Sequence, residues 1–370
     1  MANPPAPKTR RATTSLAARF GVLSTYFYAL LISPLLLAHF AFDILLCVPP
    51  WTRPAREWTF NQAARNRLVR LLLLCWSLTR SGDRLTLRPG REGARFEVLR
   101  ARPRGEYTGV LCSDGAVQPA DVGATWTPAP LQLVAPDVVV VALHFHGGAC
   151  ATGTGRDDDT GFLARTLLRY LGCSHDALTA YLCLVRDKGV PPRRIILSGD
   201  SAGANLALAL LRYLREHGEG LGAPGAVALW SPWVDVGGAL RLDMRASPNY
   251  ATDYLHREFG RWGAAAVSGH GAVDASGPWL APLLHPFAPA GDVPVFVHAG
   301  EREVLYHDMK LFSERYRDAG WNVRLLVSKG CPHDVILLGP RIGFARAAEA
   351  AARDARTFFA AATDLKLRVT

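Results

Sequence analysis

Apolar positions in this chain fall into two textures. From about residue 137 to residue 331 they form short continuous runs: Asp137-Val138-Val139-Val140-Val141-Ala142-Leu143-His144-Phe145, Arg194-Ile195-Ile196-Leu197, Val293-Pro294-Val295-Phe296-Val297 and Val323-Arg324-Leu325-Leu326-Val327. Runs this short, rich in β-branched residues and ending at glycine or polar turns, predict strands buried on both faces, as in a mostly parallel sheet. The Ala/Leu segment after Ala202 and the stretch Gly161 to Leu171 predict helices between them. Cys173 to Leu182 reads as a further helix, with no β-branched run separating it from the one before.

The second texture lies near the N-terminus. Phe20 to Phe42 holds no Lys, Arg, Asp or Glu, and about 20 such residues in a helix cross the roughly 30 Å hydrocarbon layer of a membrane. The pattern predicts a single-pass anchor kinked at Pro34, with Tyr26, Tyr28 and Trp51 at interfaces. A buried helix and a cleaved signal peptide are the alternatives. Lys8, Arg10, Arg11 and Arg19 precede the span while Arg53, Arg56, Arg65, Arg67 and Arg70 follow it, so charge leaves the orientation open. A second apolar run, Leu68 to Leu78, is too short to span. It reads as a helix lying on anionic lipid, packed beside the mouth of a site, or buried in a core. The expected organisation is a flexible basic tail over 1–19, an anchor and interfacial helix over 20–80, and one α/β domain over 81–370. Ser81 to Pro136 would supply its entry strands and loops, and about 235–271, rich in Trp, Tyr, Phe and Arg, part of a lid.

Candidate chemistry sits where the runs end. Ile195-Ile196-Leu197-Ser198 leads into Gly199-Asp200-Ser201-Ala202-Gly203, a G-x-S-x-G turn between strand and helix that would project the Ser201 hydroxyl over the sheet edge. The run ending at Phe145 leads into His146-Gly147-Gly148-Ala149. The N–H groups of Gly147 and Gly148, with that of Ala202, would meet the negative charge of a tetrahedral intermediate. Glu303 follows the strand ending at Gly300, and His333 follows the strand ending near Val327. Ser201, Glu303 and His333 therefore stand in the chain order serine, acid, histidine. Glu301 and Asp308 are alternative acids that read as solvated charges at a helix start.

Together these segments resemble the hormone-sensitive-lipase group of α/β-hydrolases, which includes the arylacetamide and sterol deacetylases. The resemblance covers roughly residues 135 to 340. It is carried by His146-Gly147-Gly148, by Gly199-Asp200-Ser201-Ala202-Gly203-Ala204-Asn205-Leu206, by Trp230-Ser231-Pro232-Trp233-Val234-Asp235, by Ser276-Gly277-Pro278-Trp279-Leu280-Ala281-Pro282, and by the Glu303 and His333 loops. It implies an α/β-hydrolase fold and a serine carboxylesterase without cofactor. With the anchor, it implies lipophilic short-acyl esters such as sterol acetates, membrane lipid as a partner, and residence in the endoplasmic reticulum. The chain departs from the family at Ala149, where a glycine is usual, and at Glu303, where aspartate is usual. It also departs between residues 149 and 195, where one core strand and its active-site loop are expected to be absent. A catalytically silent protein binding a small hydrophobic ligand is the alternative reading.

Composition narrows this further. The chain has 370 residues, 49% of them hydrophobic, and a formal net charge of +10. The arginines are dispersed and no recognition motif accompanies them, so a membrane-apposed protein fits better than a nucleic-acid reader. Seven cysteines in an odd, scattered set form no C-x-x-C pair, so neither a disulfide framework nor a metal site is expected. Asp157-Asp158-Asp159 lacks the alternation of a calcium loop and is expected to cap a helix beginning near Thr160.

Overall fold

A computed structural model of the chain describes residues 16–82, 86–112, 119–131, 140–149, 151–170, 174–175, 177–289 and 291–365, with the backbone alone for 16–30, 110, 112, 170 and 174–175. Outside the described residues lie 1–15 of the expected tail, 137–139 of the first expected strand, Leu171, Cys150 and Cys173, and also the side chains of Tyr26, Tyr28 and Cys112.

Two helices come first, α1 (Leu16–Cys47) and α2 (Phe60–Thr79), followed by an antiparallel pair, β1 (Phe96–Leu99) and β2 (Val122–Thr125). The α/β body then runs β3 (Val141–Phe145), α3 (Asp157–Tyr170), β4 (Ser174–His175), α4 (Leu178–Leu182), β5 (Ile195–Asp200), α5 (Ala202–His217) and β6 (Ala226–Trp230). It closes with α6 (Gly238–Arg241), α7 (Arg257–Val267), β7 (Val295–Gly300), α8 (Tyr306–Asp318), β8 (Val323–Ser328), α9 (Val335–Ile342) and α10 (Ala345–Ala362). The main sheet is parallel throughout, in the order β4-β3-β5-β6-β7-β8. β3, β5, β6 and β7 are buried along their whole length. That is why they read as unbroken apolar runs rather than as alternation. One core gathers α3, α9 and α10, and a second gathers α4, α5 and α8.

The expected loss of an interior strand is corrected. A strand does stand between α3 and α4, but it is a two-residue stub, Ser174–His175, at the sheet edge beyond β3. Because β3 pairs directly with β5 from Val141↔Ile195 to Phe145↔Gly199, shortening β4 leaves the strands that carry the site fully paired. The cost falls at the edge, where β1 and β2 form a separate two-stranded sheet instead of extending the main one.

The apolar N-terminal stretch is helical within α1, a helix of 32 residues. Among the described residues, however, no helix is long and apolar enough to cross a membrane. The fold therefore gives the spanning anchor no support. α1 does leave large apolar side chains uncovered, including Leu35, Leu37 and Leu45. The second run, Leu68 to Leu78, lies inside α2. That helix opens with a reciprocal cap, Thr59 accepting from the Gln62 N–H and Gln62 from the Thr59 N–H, which satisfies donors that a helix start leaves free.

Candidate active site

β5 ends at the sheet's carboxyl edge, and Ser201 makes the turn into α5 with φ 52° and ψ −116°. This backbone region is costly for a residue with a side chain, and a nucleophile elbow adopts it to expose the hydroxyl. The flanking glycines are required by close approach. A Cβ on Gly199 would stand 2.3 Å from the Gly203 carbonyl oxygen, and one on Gly203 would stand 2.1 Å from that of Phe145.

Ser201, His333 and Glu303 meet at this edge. His333 Nε2 lies 3.0 Å from Ser201 Oγ, and its Nδ1 lies 2.7 Å from Glu303 Oε2. With Nδ1–H donating to the carboxylate, Nε2 is the free base that faces the hydroxyl. All three residues are buried. Burial opposes the imidazolium, but the hydrogen bond and charge of Glu303, with the charges of Asp253 and Asp200, outweigh it and raise the His333 pKa. Burial also raises the Glu303 pKa, against the His333 interaction that lowers it. The other Glu303 oxygen accepts from Ser231 Oγ at 2.7 Å and from the Gly300 N–H, while Ser231 Oγ accepts from the Asp334 N–H at 3.0 Å. Neither alternative acid is a freely solvated charge. Glu301 accepts from the Gly330 N–H at 2.9 Å, and burial raises the Asp308 pKa.

The oxyanion loop corrects one expectation. The Gly147 N–H does not face the reacting centre, because it donates to Asp200 Oδ2 at 2.9 Å. The N–H groups of Gly148, Ala149 and Ala202 find no acceptor among the described residues, and they are the available donors. Gly148 has φ +93°, and a Cβ there would lie 2.1 Å from the Thr152 carbonyl oxygen. Ala149 has φ 55°, so the alanine that replaces the usual glycine is held in left-handed backbone. His146 stays beside its own loop, with Nδ1 2.8 Å from the Gly147 carbonyl.

Asp200 does more than mark the motif. Its Oδ1 lies 2.8 Å from His144 Nε2, His144 Nδ1 lies 2.9 Å from Ser198 Oγ, and Trp230 Nε1 donates to that oxygen at 3.0 Å. Burial opposes the Asp200 charge, but the His144 hydrogen bond outweighs it and lowers the pKa. Burial and the Asp200 charge hold the neighbouring Asp334 carboxyl well above the usual range.

A cavity of about 410 Å³ opens over Ser201 and His333. One wall is Tyr254, Leu255 and Phe259, from the segment expected as a lid. A further wall is Val69, Leu72, Leu73 and Trp76 of α2, so that run packs beside the site while Leu73 also enters the core. Residues 168–337 match the family described as alpha/beta hydrolase fold. LipR of Mycobacterium tuberculosis, which carries an acetyl-hydrolase name, is 30% identical over 225 residues, 52% of this chain and 68% of LipR. The chain belongs to the α/β-hydrolases.

An acetyl-hydrolase of Streptomyces hygroscopicus is 31% identical over 201 residues, 48% of this chain, and the chain spans only 62% of that relative's length. The structure of an esterase from the bacterial hormone-sensitive lipase family shares the fold, with a TM-score of 0.52 at 20% identity, covering 87% of this chain and 97% of the other. Sequence reading of this hydrolase missed His144, Ser231 and Asp334. The histidine inside an otherwise apolar strand was the available signal, whereas the contacts of Ser231 and Asp334 exist only once β6 and the His333 loop are side by side.

Among the described residues the cysteines 47, 75, 183 and 331 are free. Asp157, Asp158 and Asp159 occupy the first turn of α3, where negative charge suits the helix start, and the helix begins at Asp157 rather than near Thr160.

Proposed function

We propose that this hydrolase is a serine carboxylesterase acting through Ser201, His333 and Glu303. The observation that carries the reading is the hydrogen-bonded line from Glu303 Oε2 through His333 to Ser201 Oγ, at 2.7 and 3.0 Å, beneath an open cavity. His333 takes the hydroxyl proton as Ser201 attacks the ester carbonyl, and returns it to the departing alcohol. The oxyanion forms against the N–H groups of Gly148, Ala149 and Ala202. Water then releases the acid from the acyl-enzyme by the same route. The assembled triad weighs against the silent ligand-binding reading.

Lipophilic short-acyl esters, sterol acetates among them, are the proposed substrates. The acetyl-hydrolase names of the relatives support a short acyl group. The cavity lies at the small end of the roughly 300–1,000 Å³ range of ligand pockets, so the alcohol would extend along α2 past Leu72 and Trp76, both partly exposed. The uncovered apolar side chains of α1 support association with a lipid surface from which such esters are drawn. Fluorophosphonate labelling of the detergent-solubilised chain tests the chemistry. The expected result is labelling of the wild type that is lost in both Ser201→Ala and His333→Ala. A folded wild type that stays unlabelled sinks the reading.

A further inference from the structure

α2 turns Ala63, Asn66, Leu73 and Ser77 inward, and at 3.6 residues per turn Arg70 falls on the same face. A guanidinium on a docking face is expensive unless its donors are used. Two of them are, since Arg70 Nη1 donates to the carbonyls of Asp253 and Leu255, each at 2.8 Å, and the guanidinium lies 4.2 Å from the centroid of the Tyr250 ring. The segment it grips is bound in turn to the loop carrying Glu303. Asn249 Nδ2 donates to the carbonyls of Glu301 and Glu303, each at 2.9 Å, and Thr252 Oγ1 lies 3.0 Å from the carbonyls of both Arg302 and Asn249, sharing its one hydrogen between them. Asp253 Oδ2 accepts from the Val304 N–H at 2.7 Å. Every residue from 301 to 304 thus has a backbone group tied to residues 249–253, and that stretch is tied to α2 through Arg70.

We infer that Arg70 is a positioning residue for Glu303, setting the acid's register against His333 through the 249–253 clamp. The inference rests on the esterase reading above. Its consequence is that the helix walling the cavity also tunes the triad, so that when α2 undocks, the substrate wall and the base's orientation are lost together. The clamp acts on an imidazole faced by Glu303 from the β7–α8 loop, by Asp253 from the clamp itself, by the adjoining Tyr254 ring and by Asp200 from β5.

The test is steady-state hydrolysis of p-nitrophenyl acetate by the full chain in detergent, for wild type, Arg70→Met, Arg70→Lys, Asn249→Leu and the Arg70→Met/Asn249→Leu double variant. A small displacement of a catalytic group costs of order tenfold or more in rate. Arg70→Met is therefore expected to lose about tenfold in kcat with KM little changed, and Arg70→Lys to lose less. The double variant is expected to lose hardly more than the worse single variant, because both substitutions release the same loop. The acid limb of the pH profile is expected to move down in Arg70→Met, since Glu303 and Asp253 both raise the His333 pKa. Independent, multiplying losses, or an effect confined to KM, would overturn the inference. If Arg70→Met does not fold, Thr252→Val removes a bond of the same clamp away from α2, and an unchanged kcat there overturns it equally. A wild type with no hydrolysis and no fluorophosphonate labelling refutes the esterase reading instead, so the two failures are distinguishable.

Discussion

Asp200 Oδ2 accepts the N–H of Gly147 at 2.9 Å, so the residue before the nucleophile holds the first glycine of the oxyanion loop. The Ser201 turn and the loop carrying the Gly148 and Ala149 N–H groups are thereby joined by one side chain. The loop's backbone does not need to find its place when substrate arrives. A Cβ on Gly147 would stand 2.3 Å from that same oxygen, which excludes any larger residue there.

Asp200→Ala is expected to fold less stably by about 2–4 kcal/mol, because the Gly147 N–H and His144 Nε2 lose a buried partner. It should also lose about 10²–10³ in kcat as the oxyanion donors loosen. Asp200→Asn keeps an acceptor for Gly147, and a change of His144 tautomer re-pairs the other side, so its losses should be much smaller. Thermal unfolding and steady-state kinetics on both variants check this, and equal behaviour of the two would show that Asp200 does not order the loop.

Glu303→Gln should retain the fold and lose about 10³–10⁴ in kcat, because an amide does not hold the His333 tautomer or balance the imidazolium. Glu303→Asp keeps the charge on a shorter arm and should recover part of the rate. Comparable rates for Glu303→Gln and the wild type would return the acid's role to another carboxylate.

The base form of His333 is the neutral imidazole, and its pKa is raised above the ordinary value. Activity should therefore rise with pH through an acid limb lying above the usual histidine range, not below it. Removing the Glu303 charge should move that limb to lower pH as the maximal rate falls. A pH profile of kcat/KM for wild type and Glu303→Gln measures both, and a limb that rises in the variant would contradict the assignment.

Ala149 and Gly263 of α7 fit as a pair. A Cβ on Gly263 would stand 2.4 Å from the Ala149 Cβ, so Gly263→Ala should destabilise the protein by about 1–3 kcal/mol through overpacking and lower kcat by displacing the oxyanion loop. Ala149→Gly in the same chain removes the shortest contact, leaves one of 3.1 Å to the residue 149 carbonyl oxygen and relaxes a residue held at φ 55°, and should restore most of both. Persistence of the defect in the double variant would show that the loop and α7 are independent.

Trp76 and Leu72 stand at the α2 rim of the cavity. Trp76→Ala should leave hydrolysis of p-nitrophenyl acetate nearly unchanged and raise KM for acetates of bulky alcohols several-fold, since only the alcohol reaches that rim. A matched change across small and large alcohols would place the alcohol elsewhere.

Much of the site was legible because it depends on backbone requirements that few residues meet. The close approaches at Gly199 and Gly203 on either side of the Ser201 turn demand glycine, and strands buried on both faces demand unbroken apolar runs. Partnerships were not legible. Gly147 and Gly148 are equivalent as letters, yet one N–H is committed to Asp200 and the other finds no acceptor among the described residues, because β3 and β5 pair in a register that puts Phe145 beside Gly199. The shortened strand could be inferred from the missing β-branched run. Its harmlessness to the site could not, because that follows from its place at the sheet edge.

The sequence by itself determined the fold class, the three candidate triad residues and the elbow, since each is written in local pattern and in chain order. The tertiary structure decided what faces what. It gave α2 a wall of the cavity, tied Arg70 to the 249–255 segment that holds the loop of Glu303, and put Asp334 beside Asp200. Local pattern constrains how a segment folds, whereas the pairing of side chains more than a hundred residues apart is set by how helices pack on the sheet, and no period in the chain encodes it.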